Sequence, residues 1–380
     1  MSKLPTVDGI PIPPINLGSE DPPLDKMSDG KKLEKAKEIT VSAPSRFSLR
    51  MSAGWWRSLQ YIGMSLHFLA SPRPPNPAFS RSVRSTVSKV KGNFDLQFYT
   101  PKGYKEAKKS GSTFPAVVNF HGGGFTIGNA TDDARFARFV LETCQAVFVS
   151  VDYRLSPEHP FPVAVDDGAD AILYVIRNAA ELRIDPSKLA TSGFSAGGNI
   201  AITSALRFSE HVKSLARTSR SSSAAAVPDH RLRAIATWYP ITDYTLSRAE
   251  RRASSIRPDQ TLPPTLTTLF DSSYLYPPDL KLDDPFLSPS KASDELLMEG
   301  IPPNVIFYTC EWDMLLREGD EFAKRLGKEP IDKNVRYKMI PGVPHGWDKS
   351  PDPVKPAADS EKLYLECCEA LKEIFAAERL

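Results

Sequence analysis

The chain has 380 residues, about two and a half times an average domain of ~150 residues, so it is one large domain with insertions or two domains. Hydrophobic residues at 41% and charged residues at 25% supply enough apolar material for a real core and exclude a wholly disordered chain. With 48 Lys and Arg against 46 Asp and Glu, the formal charge is only +2, which gives no electrostatic reason to expect nucleic acid as the partner.

Residues 1–50 carry Pro at 5, 11, 13, 14, 22 and 23 among Lys, Asp and Ser, and read as a tail or loosely draped arm. The N-terminus lacks the apolar run of a secretory signal, and no stretch approaches the ~18 apolar residues of a membrane span. The four cysteines (Cys144, Cys310, Cys367, Cys368) have no metal-ligand or CxxC spacing, and together these features predict reduced thiols in a cytoplasmic protein.

Trp55, Leu59, Ile62, Leu66 and Leu69 recur at helical spacing, and the helix must end at Ser71-Pro72-Arg73-Pro74-Pro75. Contact with a membrane surface through Trp55–Leu69 is the less favoured reading of this helix. Val87–Val90 and Phe94–Tyr99 read as a hairpin turning at Gly92-Asn93. Strands and helices then alternate. Strands are predicted at Pro115–Phe120, Ala146–Val151, up to Phe194, Leu232–Tyr239, Val305–Thr309 and Arg336–Ile340. Helices are predicted at Asp132–Thr143, around Val165–Ile176, from Ala196, around Arg317–Leu326 and from Ala357 to Ala377. Such alternation implies βαβ crossovers and a largely parallel sheet covered on both faces. Ser214–Val227, rich in Ser and Ala, reads as a surface excursion, and Asp243–Pro303 as a lid-like insertion whose Arg248, Arg251, Arg252 and Arg257 form a solvated helix face.

Gly193-Phe194-Ser195-Ala196-Gly197 fits G-x-S-x-G between a predicted strand and a predicted helix. A sharp strand-to-helix turn needs glycine on both sides of the serine, and leaves its hydroxyl exposed beside the free N–H of Ala196 at the helix start. His121-Gly122-Gly123-Gly124-Phe125 follows a strand, and its glycines let several N–H groups converge on one point, as an oxyanion requires. A phosphate loop is disfavoured, since neither G-x-x-x-x-G-K-[ST] nor G-x-G-x-x-G is met. A serine needs a base, and in this fold the order is Ser, acid, His. His211 and His230 precede the next core strand, so His345, just past the last strand, is the base. The acid belongs past Val305–Thr309, where Glu311 and Asp313 are candidates and Asp313 is favoured; it could also cap the following helix. Asp320 and Asp348 are weaker.

With these residues assembled, the sequence resembles the hormone-sensitive-lipase-like branch of the α/β-hydrolases, which includes bacterial esterases and plant carboxylesterases. The resemblance spans residues 90–350 and rests on His121–Phe125, on Asp152-Tyr153-Arg154-Leu155-Ser156-Pro157-Glu158-His159-Pro160-Phe161-Pro162, on Gly193–Gly198, and on Asp313 through Gly319 with His345-Gly346. It implies the α/β-hydrolase fold: a mostly parallel eight-stranded sheet flanked by helices, with a helical cap. Residues 1–81 would form the N-terminal arm and the cap helix, whose apolar face would line the acyl pocket (the favoured reading of Trp55–Leu69), 82–242 and 303–380 the core, and 243–302 the inserted cap segment. It further implies Ser195 as nucleophile, His345 as base, Asp313 as orienting acid, and Gly123, Gly124 and Ala196 as oxyanion N–H donors, with Arg154 and Glu158 bracing the loop nearby. Neither metal nor organic cofactor is called for. One departure is Phe194, where the family usually has an acid; the ring is expected to add apolar surface behind the turn.

The expected activity is hydrolysis of small to medium apolar carboxylic esters through an acyl-enzyme, with a small-molecule ester as the partner and the oligomeric state open. Amide, formamide or lactone hydrolysis by the same triad is the alternative. A plant hormone receptor of this fold binds without turnover, but its triad histidine is lost, whereas His345 is present here.

Overall fold

Predicted apolar runs come together as one eight-stranded sheet in a computed structural model that describes residues 6–7, 10–11, 44–218 and 227–377. The chain divides into two units, Met1–Ala43 and Pro44–Leu380. In the first, Thr6–Val7 pairs antiparallel with Ile10–Pro11; the rest of the expected arm lies outside the described residues.

The second unit holds β1 (Phe79–Arg84), β2 (Asn93–Tyr99), β3 (Phe114–Phe120), β4 (Val147–Asp152), β5 (Ile184–Phe194), β6 (Leu232–Trp238), β7 (Asn304–Cys310) and β8 (Asn334–Ile340). Their order across the sheet is β8-β7-β6-β5-β3-β4-β2-β1, with β2 antiparallel to both its neighbours and every other pair parallel. The inner strands are near-continuous apolar runs because helices cover both faces. Ala116, Val118 and Phe120 point to one face, where α4 (Val163–Arg177), α5 (Ala196–Thr218) and α9 (Leu316–Leu326) pack. Val117, Phe148 and Trp238 point to the other, filled by α3 (Ala134–Phe139) and α10 (Ser360–Ala376). All four cysteines are buried and unpaired.

The expected hairpin is wrong in its first strand. Val87–Val90 is not extended; β1 lies earlier, in register from Phe79 opposite Phe98 to Arg84 opposite Asn93. The buried Asp170 carboxylate accepts the N–H groups of Thr86 (2.7 Å) and Val87 (2.9 Å), which holds that stretch as a loop. Short helix α2 (Tyr104–Ser110) follows β2. Helix α5 runs through the first part of the Ser/Ala-rich segment to Thr218, and residues 219–226 are outside the described set.

Helix α1 spans Arg46–His67, capped by the Ser45 side chain on the Ser48 N–H. Its burial departs from the expectation. Trp55, Leu59, Ile62, Leu66 and Leu69 are all exposed, and the side turned inward carries Leu49, Ala53, Met64 and His67. Polar side chains, invisible to a hydrophobic period, decide the orientation. Arg57 donates to the carbonyls of Thr126 (2.9 Å) and Ser156 (2.8 Å) and pairs with Glu158, and His67 meets Arg135.

The segment between β6 and β7 carries α6 (Arg248–Ser254), α7 (Pro264–Tyr274) and α8 (Asp294–Gly300). Its arginines are ties rather than a solvated face. Arg251 is buried against Glu318 at 2.6 Å, Arg248 pairs with Asp271 at 2.7 Å, and Arg252 donates to the Leu262 carbonyl at 3.0 Å. Only Arg257, of the four, pairs in the open, with Asp259. Among the described residues no helix is long and apolar enough to cross a membrane.

Candidate active site

Strand β5 ends at Phe194 and α5 begins at Ala196, so Ser195 must reverse the chain alone. It does so at φ +54°, a left-handed conformation that costs a non-glycine residue energy and persists only where the surroundings hold it. The Ser195 N–H donates to the Trp238 carbonyl (2.8 Å) and its own carbonyl accepts from Asn199 N–H (3.1 Å). A Cβ on Gly193 would meet the Gly197 carbonyl oxygen at 2.1 Å, and one on Gly197 the Phe120 carbonyl oxygen at 1.9 Å. Both glycines are therefore obligatory for this turn.

His345 stands in the loop after β8, with Nε2 2.7 Å from Ser195 Oγ and Nδ1 2.6 Å from Asp313 Oδ2. The three side chains predicted from distant parts of the sequence thus meet at the carboxyl edge of the sheet. The other Asp313 oxygen accepts the Leu315 N–H (3.0 Å), so this carboxylate orients the ring and closes the turn into α9 at once. Glu311, the rival acid, instead accepts the Gly342 N–H at 2.7 Å. Asp320 pairs with Lys324, and Asp348 accepts from Tyr239 and Tyr364. An imidazole held this way presents a bare Nε2 to the hydroxyl, and the imidazolium formed on proton transfer is stabilised by the buried carboxylate.

The glycine loop lies against this turn. A Cβ on Gly122 would come 3.1 Å from the Phe194 carbonyl oxygen and 3.6 Å from the Ser195 Cβ. Gly123 (φ +109°) and Gly124 (φ +58°) hold the left-handed backbone that turns N–H groups to one side. Among the described residues, no backbone carbonyl accepts from the N–H groups of Gly123, Gly124 or Ala196. The loop is pinned by His121, whose ring stacks on Tyr153 at 4.3 Å while its carbonyl accepts the Tyr153 hydroxyl at 2.9 Å. Beyond it, Arg154 is buried against Asp167 at 2.6 Å and Glu158 holds Arg57.

A family model described as the alpha/beta hydrolase fold matches residues 117–349. The chain belongs to the α/β-hydrolases. Carboxylesterase NlhH of Mycobacterium tuberculosis is 33% identical over 238 residues, 61% of this chain and 66% of that one, so the chain spans just under two thirds of that relative's length. Carboxylesterase 20 of Arabidopsis thaliana is 30% identical over 284 residues, 72% of this chain and 78% of that one. Among solved structures, an esterase of Pyrobaculum calidifontis superposes with a TM-score of 0.66 at 27% identity, over 86% of this chain and 94% of that one.

In this α/β-hydrolase a cavity of about 380 Å³ opens over Ser195 and His345. Trp56, Leu59 and Met64 of α1, Ile127, and Leu262, Leu266 and Phe270 of the insertion give it apolar walls. Of the opposite wall, only Phe194 was expected. Phe194 fills the position usually acidic, stacked on Trp238 (5.5 Å) and edge-on to Phe136, with the Lys349 ammonium 3.8 Å from its ring centre. Burial alone would pull the Lys349 pKa down, but Asp133 at 2.8 Å and Asp348 at 3.4 Å outweigh it and hold the lysine above its ordinary value. Asp132 nearby accepts from Gln60 and Asn129, and burial pushes its carboxyl up to about 6. Tyr239 donates to Asp348 and sets its ring edge-on to His345 at 4.8 Å. Nothing in the spacing of Tyr239, directly after β6, of Asp132 and Asp133, just before α3, or of Asp348 and Lys349, three and four residues after His345, signals a place at the site.

Proposed function

We propose that this α/β-hydrolase is a serine carboxylesterase acting on small to medium apolar carboxylic esters through an acyl-enzyme. Ser195 Oγ attacks the ester carbonyl carbon as His345 Nε2 takes its proton, and Asp313 holds the ring and its positive charge. The N–H groups of Gly123, Gly124 and Ala196 receive the tetrahedral oxyanion. His345 then gives the proton to the leaving alcohol, and a water molecule, deprotonated in turn by His345, releases the acid and restores Ser195. Neither metal nor organic cofactor enters these steps.

The observation that supports this reading is the continuous contact of Ser195, His345 and Asp313 at 2.7 and 2.6 Å under an apolar cavity. The esterase names of the relatives point the same way. Helix α1 and residues 243–302 act as the cap, which the cavity lining supports. A cytoplasmic setting belongs to the same reading, supported by four buried, unpaired thiols. In the deciding experiment a fluorophosphonate labels the wild type at Ser195, and Ser195→Ala loses both labelling and p-nitrophenyl ester hydrolysis. Undiminished hydrolysis by Ser195→Ala would overturn the assignment.

A further inference from the structure

Three residues after His345, in the short turn Trp347–Lys349, stands Asp348, only 2% exposed. A carboxylate so far from water needs donors of its own. It has three: the Tyr239 hydroxyl at 2.5 Å on one oxygen, and on the other the Tyr364 hydroxyl and the Lys349 ammonium at 3.4 Å. Tyr364 belongs to α10, and Tyr239 follows β6 directly. One side chain therefore ties the loop that carries His345 to the core on two sides.

Tyr239 is the unusual partner. Its backbone stands at φ +40°, left-handed for a bulky residue, a conformation that persists only where several contacts impose it. Its N–H donates to the Tyr308 carbonyl at 2.7 Å, and the carbonyl just before it, of Trp238, accepts the Ser195 N–H at 2.8 Å. Its ring lies edge-on to His345, with 4.8 Å between centres and 65° between planes, and edge-on to Trp347 at 5.9 Å. Burial first, and then the Asp348 charge, push its hydroxyl well above the ordinary value, so it serves as a donor rather than as an acid or base. What Tyr239 offers the site is its ring. Asp313 fixes Nδ1 of the imidazole at 2.6 Å, yet a hydrogen bond at one atom leaves that ring free to rock about it. A second ring set across it removes the freedom.

We propose that Tyr239 and Asp348 are positioning residues for His345: Asp348 anchors the Tyr239 hydroxyl, and the Tyr239 ring holds the imidazole with Nε2 facing Ser195 Oγ. The effect on rate rests on the esterase reading; the placement of the imidazole is open to a test without substrate.

The test compares variants of the full chain on one p-nitrophenyl ester, well below their melting temperatures. Tyr239→Leu, which removes the ring, should lower kcat about 100-fold with KM within about twofold of the wild type, the scale of a 1 Å misplacement. Tyr239→Phe keeps the ring and should recover all but about tenfold of that rate. Asp348→Leu, of similar size and without oxygens, should lose about as much as Tyr239→Phe, and the double variant hardly more, because both cut the same bond. Without substrate, the proton between His345 Nδ1 and Asp313 should give a low-field NMR resonance that His345→Gln abolishes and Tyr239→Leu broadens. If Tyr239→Leu does not fold, the Tyr239→Phe and Asp348→Leu pair decides. Values of kcat within twofold of the wild type in these variants overturn the proposal, even if the melting temperature falls. So do fully additive losses in the double variant, or an unaltered resonance in Tyr239→Leu. A wild type that hydrolyses no ester would count against the esterase reading, and the resonance would then decide the placement alone.

Discussion

The ammonium of Lys349 sits 3.8 Å from the centre of the Phe194 ring, in the wall of the cavity that holds Ser195. An aromatic face attracts a cation, and Asp133 and Asp348 complete its surroundings. Lys349→Met keeps the length but leaves two buried carboxylates without their cation, at a cost of about 3–5 kcal/mol. Chemical denaturation should show that loss. A change below 1 kcal/mol would mean that the carboxylates find other partners.

Asp313 and Glu311 stand two residues apart, yet only Asp313 touches His345. Asp313→Asn should preserve the fold and lower kcat about 10⁴-fold with little change in KM, the magnitude known for loss of the orienting acid in serine proteases. Glu311→Gln should leave kcat within about threefold, because its carboxylate serves the Gly342 N–H. Steady-state kinetics on one p-nitrophenyl ester separates the two.

His67 is buried and held down to about 4, first by burial and then by the charges of Lys349 and Arg135. Its Nε2 accepts from Arg135 Nε at 3.0 Å, so the proton belongs on Nδ1, facing the Ser350 carbonyl at 3.1 Å. A histidine that is neutral in the fold and titrates at its ordinary value when unfolded contributes stability that is complete above about 6.5 and lost as pH falls towards 4. The Tm should therefore drop over that window. His67→Gln, which can still accept from Arg135, should show a shallower fall when melting is followed at a series of pH values.

Arg251 of α6 and Glu318 of α9 form a buried pair between the insertion and the core. Burial raises the Glu318 pKa even with Arg251 present. Arg251→Met should cost about 3–5 kcal/mol at neutral pH by stranding the carboxylate. Because a proton can neutralise the stranded group, the gap in Tm between variant and wild type should narrow from pH 8 to pH 5. A gap that stays constant would mean that the carboxylate is not what the variant strands.

The sheet and the Ser195, Asp313 and His345 cluster were legible because each is written locally. Inner strands show as short apolar runs, the serine turn demands Gly193 and Gly197, and the strand-end loops fix where an acid and a base can stand. What misled was structure held by polar groups. Thr86 and Val87 are drawn into a loop by a carboxylate more than eighty residues away, and α1 is oriented by Arg57 and His67 instead of by its large apolar side chains. The Lys349 and Asp348 wall is equally silent in sequence, since its partners come from the loop before α3, the end of β6 and helix α10.

The Phe270 ring of α7 occupies the very space that a Cβ on Gly124 would take, with ring carbons only 2.2 Å from that point. The inserted helix and the glycine loop therefore share one volume, and neither can be remodelled alone. Enlarging the chamber at position 270 would free the loop to wander from its present backbone, so a wider cavity and a fixed glycine loop should trade against each other in any redesign of this protein.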